Sequence, residues 1–271
     1  MPNRFAFGKN WRRFLEHLNE ERIEEAVKSL RTMLGRESLA GLTFLDIGSG
    51  SGLFSLAARR LGASVRSFDY DEDSVACTEE LRRRFCPDDP EWVVSRGDVL
   101  DEAFMVTIDS ADIVYSWGVL HHTGNMMKAL DQAGRKVKPG GQLFVAIYND
   151  QGGISRRWLK IKQVYCSGLP GRWLVTALGS MYFALVLLKE DLVRFRNPVT
   201  RYREYKKNRG MSMMTDWIDW FGGYPFEVAK PEVLFEFYKD RKFSLEKLVT
   251  VGGSLACFEM VFRKEEGATT E

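Results

Sequence analysis

The stretch Leu45-Asp46-Ile47-Gly48-Ser49-Gly50-Ser51-Gly52 joins an apolar run to a helical pattern through three glycines at alternate positions. It restricts the folds open to this chain more than any other segment. Glycine reaches backbone angles that other residues resist, and it lets a ligand come close to the main chain. In an open parallel sheet, ligands bind at the carboxyl ends of the strands, near the point where strand order reverses. The turn therefore points to a doubly wound α/β sheet with a ligand over it, and its spacing narrows the ligand. A dinucleotide fingerprint needs G-x-G-x-x-G, whereas the sixth position from Gly48 is Leu53. No Walker lysine follows, which argues against a P-loop.

The periodicity around this turn agrees. Apolar strand candidates lie at 42–47, 64–70, 91–94, 112–116 and 142–148, separated by helical patterns at 53–61, 73–85 and 125–137. Continuous apolar strands alternating with helices indicate a parallel sheet covered on both faces. Upstream, Asn10 and Asn19 are placed to cap two helices, the second carrying Ile23, Ala26, Val27, Leu30 and Leu34 on one face and stopping at Gly35. Downstream, 231–241 reads as a helix opened by Pro231, and 245–251 and 255–263 as a terminal antiparallel hairpin around Gly252-Gly253. A length of 271 residues fits one large domain with an insertion. The organisation expected is a helical cap at 1–35, a ligand-binding core at 36–150 and 228–265, and a helical insertion at 151–227.

The insertion carries the charge asymmetry. Residues 151–210 hold 13 Lys and Arg against Glu190, Asp191 and Glu204, a net of +10, so the rest carries 2 − 10 = −8. Within it, 173–188 is uncharged and apolar but shorter than the roughly 20 residues that span a bilayer. A buried helix is the plainer expectation and membrane-surface contact through 151–210 the sharper one. The four cysteines are far apart and show no metal spacing, so a reduced cytoplasmic protein without a metal is expected. The first residues do not read as a signal peptide.

Five motifs in order make the chain resemble a class I S-adenosylmethionine-dependent methyltransferase. Asp46-x-Gly48-x-Gly50-x-Gly52 is similar to that family's first motif, and Asp69 at the end of the second strand to its ribose-binding acid. Gly97-Asp98-Val99 is similar to the adenine contact, with the Asp98 carboxylate and the Val99 amide toward the base. The run from Asp112 through Trp117 to His121-His122 matches the fourth strand and the loop facing the transferred methyl, and Lys138-Pro139-Gly140-Gly141 the turn into the fifth strand. The resemblance implies S-adenosylmethionine as cofactor. It also implies a Rossmann-like, mostly parallel seven-stranded sheet with an antiparallel C-terminal hairpin and a helical insertion after the fifth strand. The ubiquinone-pathway O-methyltransferase branch is similar here, but it commonly carries a carboxylate where this chain has His121.

The residue types make chemical sense for that cofactor. The carboxylates of Asp46 and Asp69 suit a ligand with an ammonium, a sulfonium and a hydroxylated ribose, and they would repel a phosphate. Tyr70 is placed to lie on the adenine face and Trp117 to border the same site. His121 and His122 are the base candidates, because imidazole takes a proton near neutral pH; His121 is slightly preferred. As sequence neighbours their side chains point apart, so they form no metal motif. Tyr148, a further catalytic candidate, leaves the fifth strand toward the cleft. The segment Asp216-Trp217-Ile218-Asp219-Trp220-Phe221-Gly222-Gly223-Tyr224-Pro225-Phe226-Glu227 reads as a shaped aromatic loop, in which Asp219 is a further catalytic candidate and packing onto the sheet is the alternative. The residues from Phe5 to Trp11 could close as a lid over the cofactor or simply dock.

The expected function is methyl transfer to a small, amphipathic or anionic acceptor, at oxygen first. Methylation of RNA through the basic insertion, and cofactor binding without catalysis in a partner-docking protein, are the alternatives. Near-neutral overall charge and the lack of an RNA-binding module weigh against nucleic acid.

Overall fold

The computed structural model describes residues 8, 11, 14–15, 18–194, 197, 213–252 and 256–267, with backbone alone at 213–216 and 219. The strands are β1 (Thr43–Ile47), β2 (Ser64–Asp69), β3 (Trp92–Arg96), β4 (Ala111–Trp117), β5 (Val137–Tyr148), β6 (Phe243–Val249) and β7 (Cys257–Lys264). They form one sheet in the order β3-β2-β1-β4-β5-β7-β6, parallel except for β7, which runs antiparallel to both β5 and β6. The strand order reverses between β1 and β4, so the site expected for a ligand lies at their carboxyl ends.

Alternation along the strands sends side chains to the two faces. Leu45, Ile47, Val114, Leu143 and Val145 pack with α5 (Met126–Arg135) and α9 (Pro231–Lys239). Phe44, Ile113, Tyr115 and Phe144 face the other way, toward α1 (Glu20–Leu34), α2 (Leu53–Arg60) and α3 (Glu72–Phe85). Helix α1 forms as its pattern demands. The Asn19 side chain accepts the Arg22 N–H at 3.1 Å, Gly35 ends the helix at φ +64°, and Ile23, Ala26, Val27, Leu30 and Leu34 are buried. Asn10 lies outside the described residues.

Some expectations shift. A short helix α4 (Glu102–Val106) fills the interval before β4. Lys138-Pro139-Gly140-Gly141 is not a turn before β5 but part of it. Pairing jumps from Ala111↔Val137 to Ile113↔Gln142, so the extra residues bulge past Asp112, with Gly140 at φ +73°.

After β5 the chain forms α6 (Gly153–Cys166), α7 (Leu169–Val193) and, beyond the undescribed stretch, α8 (Met213–Gly222). These three helices contact one another around Tyr165, Cys166, Val175 and Phe221. Here two expectations are corrected. Residues 173–188 do not form a buried helix: Trp173 is 74% and Leu185 59% exposed, and among the helix's described side chains only Val175 and Asp191 are buried. The residues around Trp217 and Trp220 belong to a helix that runs to Gly222, because the Gly-Gly-Tyr-Pro turn begins only there. Tyr224–Pro225 is a cis peptide.

Candidate active site

Two loops build the site, one after β1 and one after β4. In the first, the N–H groups of Gly48 and Ser49 donate to Phe68 O, and the Gly50 N–H donates to the Asp69 Oδ2 at 3.0 Å. The loop is thus tied to the end of β2. Gly48, at φ +81°, passes directly under the second loop. A Cβ there would stand 2.3 Å from a Val119 methyl, so the two loops approach closely because Gly48 has no side chain. Gly52, at φ +80°, begins α2 and lies against Thr78.

Between the loops opens a cavity of about 1350 Å³. This exceeds the roughly 300–1,000 Å³ of a pocket for one small ligand, which leaves room for a cofactor and an acceptor together. One end is acidic. Asp46, Asp69, Asp71, Glu72, Asp73 and Asp98 line it, whereas the only lysine or arginine on its wall, among described residues, is Arg96, paired with Glu72. Asp46 is 2% exposed at the end of β1 and accepts the Ser55 hydroxyl at 2.5 Å. Burial pushes its carboxyl up to about 7 against the Ser55 hydrogen bond, and the neighbouring Asp69 charge adds to the rise. Asp69 also accepts the Asp71 N–H through Oδ1 at 2.9 Å, and Asp98 accepts the Leu100 N–H at 2.9 Å. A wall of this charge suits a cationic ligand and opposes a phosphate.

The other end is aromatic: Tyr148, Trp158, Tyr182, Phe183, Trp217 and Trp220 line it, the last five from the insertion. Trp158 lies edge-on to Trp220 at 5.2 Å and stacks on Phe183 at 5.9 Å. From the N-terminal segment, Trp11 and Phe14 also reach the cavity, and the Gly8 N–H donates to Asp71 at 3.1 Å.

Of the residues singled out in the sequence, Asp46, Gly48, Gly50, Asp69, Tyr70, Asp98, Val99 and Trp117 line the cavity, while Gly52 stands behind the loop. Trp117 donates its Nε1–H to Glu259 at 3.1 Å. The structure places the two histidines differently. His121 is fully buried beneath Tyr148, ring centroids 4.1 Å apart, and is not part of the cavity wall. Burial, then the His122 and Lys162 charges, hold its pKa well below the ordinary value, so it stays neutral. His122 and Tyr148 do line the cavity. His122 Nδ1 lies 2.6 Å from Pro225 O. A carbonyl can only accept, so Nδ1 carries the proton and Nε2 is the basic nitrogen. The expectation that the two neighbours point apart is corrected: in the single-turn 3₁₀ helix at Leu120–His122 their rings lie 4.4 Å apart, and only His122 reaches the cavity wall. The side chain of Asp219 is not described.

Sequence reasoning missed several supports. Ser55 holds Asp46, and Val119 seals Gly48. Glu227, whose pKa burial raises, accepts the Met126 N–H at the start of α5. The buried ammonium of Lys162 lies 4.4 Å from the Trp220 ring and 4.9 Å from Phe226, and bonds Trp220 O. Only Ser55 had a local signal, a hydroxyl at the third position of a helix that is otherwise apolar up to Arg59.

Comparison with known proteins places these features. Residues 13–177, more than half the chain, match the family model described as Methyltransferase domain. The ubiquinone biosynthesis O-methyltransferase of Methylobacterium sp. (strain 4-46) is 31% identical over 125 residues, 44% of this chain and 46% of that protein. The mitochondrial enzyme of that name from Homo sapiens is 27% identical over 139 residues, 50% of this chain and 37% of that protein. The chain thus spans less than half the length of these relatives. The magnesium protoporphyrin IX methyltransferase of Synechocystis PCC 6803, solved with S-adenosylhomocysteine, superposes with a TM-score of 0.54 at 14% identity, covering 90% of this chain and 83% of that one. The N-methyltransferase NodS of Bradyrhizobium japonicum WM9, bound to the same product, gives 0.52 at 15%, covering 90% and 87%. Fold, family model and glycine loop agree, and the chain belongs to the methyltransferase-domain family, whose cofactor is S-adenosylmethionine.

Proposed function

We propose that the chain transfers a methyl group from S-adenosylmethionine to an oxygen of a small, amphipathic acceptor. The observation that carries this reading is the single cavity with a carboxylate-lined end at the glycine loop, an aromatic end in the insertion, and His122 on its wall. The residues fit the cofactor. Carboxylates receive cationic and hydroxyl groups, Gly48 and Gly50 keep the main chain bare, and Tyr70 and Val99 offer apolar surface beside Asp98. Asp46 and Asp69 would hold the cofactor's polar parts, and Asp98 with Val99 its base.

When bound, S-adenosylmethionine supplies an electrophilic methyl on a sulfonium. The displacement asks the protein chiefly for positioning and exclusion of water. Trp158, Phe183, Trp217 and Trp220 hold the apolar body of the acceptor, and His122 Nε2 accepts the proton that its hydroxyl gives up. The resemblance to O-methyltransferases supports oxygen as the methylated atom, and the acidic wall disfavours a phosphodiester polyanion such as RNA as the group that enters.

Calorimetric titration with S-adenosylmethionine and S-adenosylhomocysteine, with NADH as control, tests the cofactor half. Binding of both sulfur ligands but not NADH is expected; a folded sample that binds neither refutes the reading. Incubation with a panel of alkylated phenols, followed by detection of S-adenosylhomocysteine, tests the acceptor half. Tight cofactor binding with no turnover on any acceptor would favour a binding protein without catalysis.

A further inference from the structure

Among the described elements, helix α7 carries the most exposed large apolar side chains. It is also, among the described residues, the only helix long and apolar enough to cross a membrane. Trp173, Leu174, Leu178, Met181, Leu185 and Leu188 all face outward, and exposed apolar positions cover more than half of its circumference. An apolar surface of this extent is rare on a monomeric soluble protein and marks an interaction site.

A spanning position does not fit, because the opposite side of α7 packs against α6 and α8. Val175 is buried there, Phe183 stacks on Phe221 at 5.4 Å, and Gly179 lets the Phe221 ring approach. Nor does a second copy fit well. A helical seam carries charged flanks that set register, whereas residues 173–188 contain no charge. Two copies would also bring together segments of net +10. The cations themselves name the partner. Arg156, Arg157, Lys160, Arg172, Lys189 and Arg194 are exposed on α6 and at the ends of α7, while the acids of α7 are Asp191, which is buried, and Glu190, which pairs with Arg194 at 3.1 Å. An apolar face with cations at the ends of its helix and on the neighbouring α6 complements an anionic lipid surface.

The same helix is also a wall of the cavity. Tyr182, 60% exposed, and Val186 belong to the outward surface and line the cavity as well. The apolar surface is therefore continuous from outside to the acceptor end.

We propose that the outward face of α7 seats the protein in the plane of an anionic bilayer, and that its acceptor is a lipid-like molecule entering the cavity along Tyr182 and Val186. The seating stands independently of catalysis; the acceptor class rests on the methyl-transfer reading above. The seating is tested by sedimenting the full chain with vesicles of phosphatidylcholine alone and with vesicles containing phosphatidylglycerol, at low and high salt. The wild type binds the anionic vesicles and is released by salt. In Leu178→Asp/Leu185→Asp, two residues outside the cavity, partition falls by at least about 100-fold, as loss of two buried leucines implies. Binding of S-adenosylhomocysteine, unchanged in the variant, shows that it is folded and reports separately on the cofactor site. Failure of folded wild type to bind anionic vesicles, or equal binding by the variant, overturns the proposal. So does a dimer in light scattering that the same substitutions dissolve, which would assign the face to a second copy.

Discussion

Asp46 is buried as a carboxyl at the base of the cofactor end, and replacing it with asparagine separates its cost from its use. Its pKa rises from 3.8 to about 7, chiefly through burial. A difference of that size corresponds to about 4 kcal/mol between the two protonation states. The folded state keeps the proton more tightly than the unfolded chain does. The stability this provides is fully present below about pH 4 and is lost as pH rises through about 7. Above that pH the protein without ligand holds a desolvated charge. Asparagine cannot ionise; its carbonyl can still accept from Ser55, while its NH₂ group adds a pH-independent cost of about 1–3 kcal/mol. Urea unfolding of wild type and Asp46→Asn at pH 4 and pH 8 should therefore show the variant gaining up to about 4 kcal/mol relative to wild type over that interval. A cationic ligand should recover part of this cost, so wild-type affinity for S-adenosylhomocysteine should tighten as pH rises through 7 and the variant's should not. A stability difference that stays flat to within about 1 kcal/mol between pH 4 and pH 8 would refute the reasoning.

Asp69→Ala removes a carboxylate facing the cavity and the anchor of the Gly50 N–H. Calorimetry should show S-adenosylhomocysteine affinity falling roughly 10- to 100-fold, the loss of one or two charge-assisted hydrogen bonds. His122→Ala should leave that affinity unchanged and lower turnover by about 10²–10⁴-fold, with its pH dependence altered. His121→Ala should act mainly on stability, lowering the melting temperature by removing a buried ring, and equal turnover losses in both variants would show that the assignment of His122 is mistaken. Gly48→Ala forces a Cβ into Val119 at φ +81°, so cofactor binding should be lost; Gly48→Ala/Val119→Ala relieves the clash but not the backbone strain and should recover it only in part.

Much of the frame was legible because it rests on local rules. The caps at Asn19 and Gly35, the alternation that sends Phe44 and Leu45 to opposite faces, and the glycine spacing after β1 are fixed within a few residues of chain. They brought eight of the nine expected cofactor residues to one cavity. The strand ends and the bulge at residues 138–141 were less legible, because pairing of Val137 with Ala111 on β4, not local preference, decides where β5 begins.

The sequence by itself determined the layered sheet, the position of the glycine loop and the acidic residues around it, since each follows from periodicity or short spacing. Only the tertiary structure decided which of two adjacent histidines meets the cavity, because that depends on Pro225, more than a hundred residues away, accepting from one ring while Tyr148 covers the other. It also decided that 173–188 faces outward. An apolar helix reads the same whether buried or exposed, and only the shape of its neighbours, here α6 and α8 covering one side, determines how much of it remains open.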